Sequence, residues 1–396
     1  MSTSTSGEVG RWVRNLYLVA MAVFLVTIAI GIVNGLDLYE FDRNQLLTHV
    51  HSGTLGWITL GVVASAMWLT KTADRRLAIS LAVLIPIYVA AFYFGNLAGR
   101  AVTGVALMIA VLWVFVWVWR ATRGGRSLPG LAVALGLTTF TYGAIIGVLF
   151  QVQLATQTVI FPAGSDVIGA HASTMVFSYL ILAAMGFIEW QTRGTTDRPM
   201  AGIIQLAALF LGGIVLSGAL LFLPADALQA AGGLDLLLEL IAVVLFVVRV
   251  LPGAVRTDWL ADSGRRYLAA SALFVVVATG IFMYLVSQFI QNPDPSAISP
   301  GLIIASDHAA FIGVMTNLLF GLVLTLSADR VVGPRWLREA VFWALNIGLA
   351  IFLVGLVTDS AEIKRVGAPL MGTAILIGVA LLAMRLRGSD VSAIEA

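Results

Sequence analysis

Apolar runs of about twenty residues recur twelve times along this 396-residue chain, and the gaps between them are short and rich in Gly, Pro, Asp and Arg. A hydrocarbon layer of roughly 30 Å takes roughly 20 residues to cross as an α-helix, and inside lipid every backbone N–H and C=O must find its partner within its own segment. The runs fall at about residues 11–35, 46–70, 77–97, 101–120, 129–153, 167–190, 200–223, 233–252, 266–290, 302–327, 336–357 and 366–386. With 60% hydrophobic and 11% charged residues the composition lies far from that of a soluble domain. The expected fold is all-α and polytopic: one twelve-helix membrane domain over 11–387 between short tails at 1–10 and 388–396. No stretch remains for a soluble domain.

Lys and Arg flanking membrane helices favour the cytoplasmic side. With the N-terminus inside, 19 of the 23 basic residues fall on the inner side, leaving only Arg43, Arg100, Lys364 and Arg365 outside. One helix missed or invented midway would destroy that bias. Both termini are therefore expected in the cytoplasm, in a cell (inner or plasma) membrane. The first span follows a polar tail with two arginines and no small-residue cleavage site, so it reads as a retained helix. The net charge of +2 reflects dispersed inner arginines rather than a basic face, which excludes nucleic acid as a partner and leaves membrane lipid as the expected surroundings. Without cysteine the chain forms no disulfide, thiolate metal site or covalent c-type haem link. Metal chemistry here falls to imidazole, carboxylate or thioether ligands.

All four histidines of the chain, His49, His51, His171 and His308, lie near the start of the second, sixth or tenth run. In the expected topology these three helices all begin at the outer face, so the imidazoles share one depth in the outer third of the membrane. A lone membrane histidine is commonly a packing residue that finds a polar neighbour. Four at matched depth, in helices spaced by four, point instead to metal or haem ligation, the commonest task of a neutral imidazole. The surroundings form a weak repeat: Gly56 and Gly313 lie five positions after His51 and His308, while Val176 takes that place after His171, which shares a threonine three positions on (Thr174 against Thr54). A glycine one turn below a ligand admits a flat macrocycle or a close helix neighbour. The three segments suggest three pseudo-equivalent four-helix arcs. His49 and His51, two apart, diverge by roughly 200° on a helix, so they serve separate sites, one shared with helix 10 and the other with helix 6.

A twelve-helix bundle with histidines on helices 2, 6 and 10 resembles the heme-copper oxidase subunit I superfamily. His49-Val-His51-Ser-Gly-Thr-Leu-Gly56-Trp57 is similar to an H-x-H-x4-G-[FW] segment of the NnrS family, haem- and copper-containing membrane proteins linked to nitric oxide tolerance. His308-Ala309, followed by Gly313 and Met315, resembles a later helix of the same proteins. The resemblance implies one or two b-type haems, with a bis-His haem between helices 2 and 10 held by His308 and either His49 or His51, a second site toward His171, and copper as a further candidate metal. It also implies that Lys364-Arg365, in a loop between helices 11 and 12, meets haem propionates; headgroup-facing charges beside Glu362 are the plainer account. The chain departs from the oxidases where turnover is decided. Helix 7 has no histidine pair, helix 10 has a single histidine, and the position four after His171 is Met175 in place of a tyrosine or glutamate. Enzymatic reduction of dioxygen or nitric oxide is therefore left open, and the expected role is electron transfer, with a small redox partner, or binding of a diatomic gas.

Other polar residues fall inside spans. Asp307 precedes His308 and could accept a hydrogen bond around a ligand, although adjacent helical side chains point roughly 100° apart and the pair is not preset to interact. Asp235 and Glu239 sit at i and i+4, fit to hold a cation or relay protons, with Asp235 expected at a solvated helix end. Gln151, Gln153, Gln157, Gln288 and Asn317 are expected to bond between helices. Two rival readings are a secondary transporter, which twelve helices with intramembrane carboxylates also suit, and a haem-free copper or zinc protein using the same imidazoles.

Overall fold

A computed structural model describes residues 7–122, 127–194, 197–292 and 298–389. It is all-helical, with no strand among the described residues. Twelve helices are long and apolar enough to cross a membrane: α1 (Glu8–Gly35), α2 (Arg43–Thr70), α3 (Arg75–Tyr93), α4 (Leu97–Thr122), α5 (Leu128–Thr156), α6 (Val167–Arg193), α7 (Met200–Phe222), α8 (Ala225–Arg249), α9 (Gly264–Gln291), α10 (Pro300–Leu326), α11 (Arg335–Val357) and α12 (Ala361–Gly388). The protein is thus a multi-pass membrane protein in contact with lipid. On α3 the exposed residues Ile79, Val83 and Ile87 repeat every four positions, an apolar stripe that only lipid covers comfortably.

Two helix starts lie earlier than the apolar pattern suggests. Helix α8 begins behind Pro224 rather than near residue 233, because Gly232 and Gly233 continue the helix instead of breaking it. A Cβ at Gly232 would come within 3.2 Å of Ile290, so the glycine buys close approach to α9. Helix α12 begins at Ala361, where the Ser360 side chain accepts a hydrogen bond from the Ile363 N–H. Lys364 and Arg365 therefore stand within its first two turns and not in a loop.

The chain divides into two compact units. The first comprises residues 1–96, 257–270 and 311–396, the second 97–256 and 271–310. In the first unit α2 packs on α10: Trp57 Nε1–H donates to Thr316 Oγ1 at 3.2 Å, and a Cβ at Gly61 would lie 2.7 Å from a Leu319 methyl. Asn317 and Asn346 exchange amide hydrogen bonds between α10 and α11, as expected for Asn317. Arg266, fully buried, bonds Glu339 at 2.7 Å and Asp262 at 3.5 Å, with its guanidinium 4.5 Å from the centre of the Phe342 ring. In the second unit Arg249 of α8 ties α6 to α7, donating to Glu189 Oε1 and Gln205 Oε1 at 2.7 Å each.

Two of the glutamines bond locally rather than between helices. Gln153 caps its own loop through the N–H groups of Ile160 and Phe161, and Gln157 bonds back to Leu154 O, because both lie at the end of α5 where backbone donors and acceptors lack helical partners. Gln151 Oε1 is buried without a hydrogen bond.

Candidate functional site

The three histidine-bearing helices differ from the other nine in two ways. They are the most buried spans, with 72% (α2), 72% (α6) and 89% (α10) of the apolar window inside the protein against 39–56% for the rest. They are also the only helices, among the described residues, that carry π-helical turns, at Ser52–Thr59, Thr174–Leu180 and Ala309–Thr316. A π turn bonds i to i+5 and inserts a residue into the helix, a costly distortion found preferentially at functional sites. Threonine hydroxyls reinforce it. Thr59 donates to Thr54 O and Thr316 to Phe311 O, each five residues back and each at 2.9 Å.

The π turns supply a common register for the three helices. Position −3 before the turn is His49, His171 and Ser306; position −1 is His51, Ser173 and His308. Each helix thus places histidine or serine at both positions. This corrects the repeat inferred from glycine spacing: His171 is the counterpart of His49 and not of His51, and the small residue that follows is Ser178, matching Gly56 and Gly313. The sequence signal lay in the H/S-x-H/S pattern. It was hidden because a one-glycine match outweighed two serines.

The four imidazoles, all half-buried, fall into the same two classes by their bonding. His51 and His308, at position −1, each place Nδ1 against the carbonyl one turn back in their own helix, Leu47 O at 2.7 Å and Ile304 O at 2.9 Å. His49 and His171, at position −3, instead reach the preceding helix: Thr27 O of α1 at 2.9 Å and Gly143 O of α5 at 2.8 Å. Four residues beyond each of those carbonyls is a glycine facing the ring, Gly31 for His49 and Gly147 for His171. A carbonyl only accepts, so Nδ1 carries the proton in every case and the neutral ring keeps its lone pair on Nε2. A backbone carbonyl holding Nδ1–H is also how proteins orient a ligating imidazole. Asp307 does not take this role, since Ile304 O already accepts from Nδ1 of His308 and adjacent helical side chains diverge.

His51 is further fixed by stacking on Phe92 of α3, centroids 3.9 Å apart and planes 17° from parallel, with Tyr88 edge-on at 6.1 Å. Stacking covers a face of the ring and leaves the in-plane Nε2 lone pair directed away from the stack. Gly56 admits a helix neighbour and not a macrocycle, because Val23 of α1 fills the space a Cβ would need. Met175 also serves close packing: its Sδ lies 2.8 Å from where a Gly143 Cβ would stand. Lys364 pairs with Asp359 at 3.1 Å and Arg365 with Asp37 at 2.8 Å, so both bases already bind carboxylates, the group a propionate would present. Asp235 is a correction: only 1% exposed, it lies ten residues inside α8, since that helix starts at Ala225.

Among the described residues no three His, Cys, Asp or Glu side chains gather as a metal-binding group. A structural or catalytic zinc needs three or four protein ligands, whereas haem iron takes its protein ligands in ones and twos, the porphyrin supplying the rest. The chain matches no protein-family model and no curated protein sequence.

The glycine facing His171 makes the class at position −3 testable. A Gly147→Ala methyl would lie 2.8 Å from Cε1 and 2.9 Å from Nδ1 of the ring, so the imidazole must leave Gly143 O. We expect a destabilisation of about 1–3 kcal/mol in detergent-solubilised protein, as for other overpacked interiors. Gly218→Ala, which meets nothing within 4 Å, should leave the thermal midpoint in place.

Proposed function

We propose that the protein is a haem-binding membrane protein of the heme-copper oxidase-like type, whose iron ligands are Nε2 atoms of His49, His51, His171 and His308. The observation that carries this reading is that all four imidazoles donate Nδ1–H to a backbone carbonyl immediately before a π turn, in the three most buried helices. The spacing of those helices, every fourth span, supports three pseudo-equivalent arcs, and the Trp57–Thr316 bond supports α2 and α10 as neighbours. Bound haem supplies one-electron transfer and diatomic gas binding, with its potential set by axial ligands and burial. The residues orient and bury, and Met175 holds the position after His171 where the oxidases carry a tyrosine and the reductases a glutamate. Electron transfer with a small redox partner, or binding of nitric oxide or dioxygen, is thus the proposed activity. Copper is the second candidate metal. The inner arginines support cytoplasmic termini in the cell membrane, and Lys364 and Arg365 are the proposed propionate partners, exchanging Asp359 and Asp37 for the haem carboxylates.

A reduced-minus-oxidised visible spectrum of protein purified from haem-replete cells tests the reading. A b-type α-band at stoichiometric intensity is expected. Its absence, with copper or zinc bound instead, overturns haem in favour of a metal-only site.

A further inference from the structure

Asp235 and Glu239 are 1% and 2% exposed, and Asp235 Oδ1, Asp235 Oδ2 and Glu239 Oε2 have no hydrogen-bond partner. Both lie on the buried face of α8 with Ala242 and Phe246, opposite the lipid-facing Leu237, Leu240, Val244 and Val248. At i and i+4 their Cβ atoms are about 5–6 Å apart, close enough for the carboxyl groups to share a ligand. The site is shaped for Asp235: its Oδ1 lies 2.9 Å from where a Cβ of Gly212 would stand, so only glycine lets the carboxyl rest against α7.

No fixed charge balances the pair. Helix α7 has no ionisable residue along its length, and α9 over 271–291 has only the exposed Tyr284. The next cation along α8, Arg249, is about 15 Å away at the helical rise and is bound to Glu189. Two carboxylates ionised side by side in an apolar interior without a counter-charge would cost several kcal/mol each. The positive charge must come from a ligand. A metal ion asks for more donors than this, six or more oxygens for calcium and six for magnesium, and no third acidic or imidazole group joins the pair among the described residues. A proton asks for two oxygens.

We propose that Asp235 and Glu239 form a membrane-embedded proton-binding site, which takes up and gives up protons between the two carboxyl groups. The site stands independently of haem binding, and its failure would leave the imidazole assignment untouched. Dicyclohexylcarbodiimide adds a carboxylic acid O–H across one of its C=N bonds, so it modifies a protonated carboxyl in an apolar setting and spares a carboxylate. Applied to the full chain in liposomes at neutral pH, it should modify the α8 peptide bearing Asp235 and Glu239. The infrared C=O stretch of a protonated carboxyl, shifted in D2O, should be present in the wild type and lost in D235N/E239Q. An unmodified peptide in wild-type protein, or a carboxyl band unchanged in the double variant, overturns the proposal. So does a stoichiometric metal ion on wild-type protein that the double variant loses. Should the double variant fail to accumulate, modification of the wild type alone decides.

Discussion

Replacing His308 by alanine should convert one proposed haem from low-spin to high-spin or remove it, and replacing His51, at the equivalent position before its π turn, should have an effect of the same kind. The two residues occupy position −1 before their π turns and hold Nδ1 on a carbonyl of their own helix, so they present equivalent Nε2 atoms. His171→Ala should instead affect a different chromophore or metal from His308→Ala, and His49→Ala should resemble His171→Ala in kind, because both are anchored to the preceding helix at position −3. The effect is all-or-none at the affected centre, since a six-coordinate iron that loses one of two axial imidazoles changes spin state outright. Substitution leaves the helices apolar, so each variant should still insert. Exogenous imidazole should restore the low-spin spectrum where an alanine has left room for it. Optical and paramagnetic resonance spectra of the four variants check this, and four identical losses, or none, would sink the division into two classes.

The architecture was legible because hydrophobic length alone separates a membrane span from anything else. All twelve helices lie where the apolar runs placed them, and most ends agree within a few residues. The misplaced starts of α8 and α12 share one cause: glycine and charge were read by their meaning in water. Within a bundle Gly232 is a packing residue, and Glu362, Lys364 and Arg365 are tolerated at a helix start. That error put Asp235 at a solvated end when it lies buried, which concealed the carboxylate pair. The four histidines could be singled out as candidate ligands from their spacing, but their two bonding classes could not. The Nδ1 partners are backbone carbonyls, three of them on residues, Leu47, Thr27 and Ile304, that carry no signal in a sequence. Gly143 and Gly147, by contrast, form a small-xxx-small pair in the helix before His171 and were open to recognition. The π turns have no composition of their own. They arise where an extra residue is accommodated in a tightly packed helix, and only the threonine hydroxyls at Thr59 and Thr316 hint at them.

The largest stability effect should come from Glu189→Leu. The carboxylate of Glu189 and the guanidinium of Arg249 meet at 2.7 Å with side chains 4% and 9% exposed, so neither is solvated once the other is gone. After the substitution Arg249 keeps only the neutral Gln205 amide oxygen and stands as an uncompensated charge between α6, α7 and α8. The cost should be about 3–5 kcal/mol, the usual penalty for breaking a buried pair from one side. Glu339→Leu should cost less, because Arg266 retains Asp262 and the face of Phe342. Removing both charges of the first pair, as Glu189→Leu with Arg249→Met, should recover most of the loss, since an apolar pair of similar volume is often neutral in such places. A double-mutant cycle on thermal or denaturant unfolding in detergent reads these differences directly. If the double variant is as unstable as Glu189→Leu alone, lost packing rather than a stranded charge is the cause, and the clamp between α6, α7 and α8 is not electrostatic.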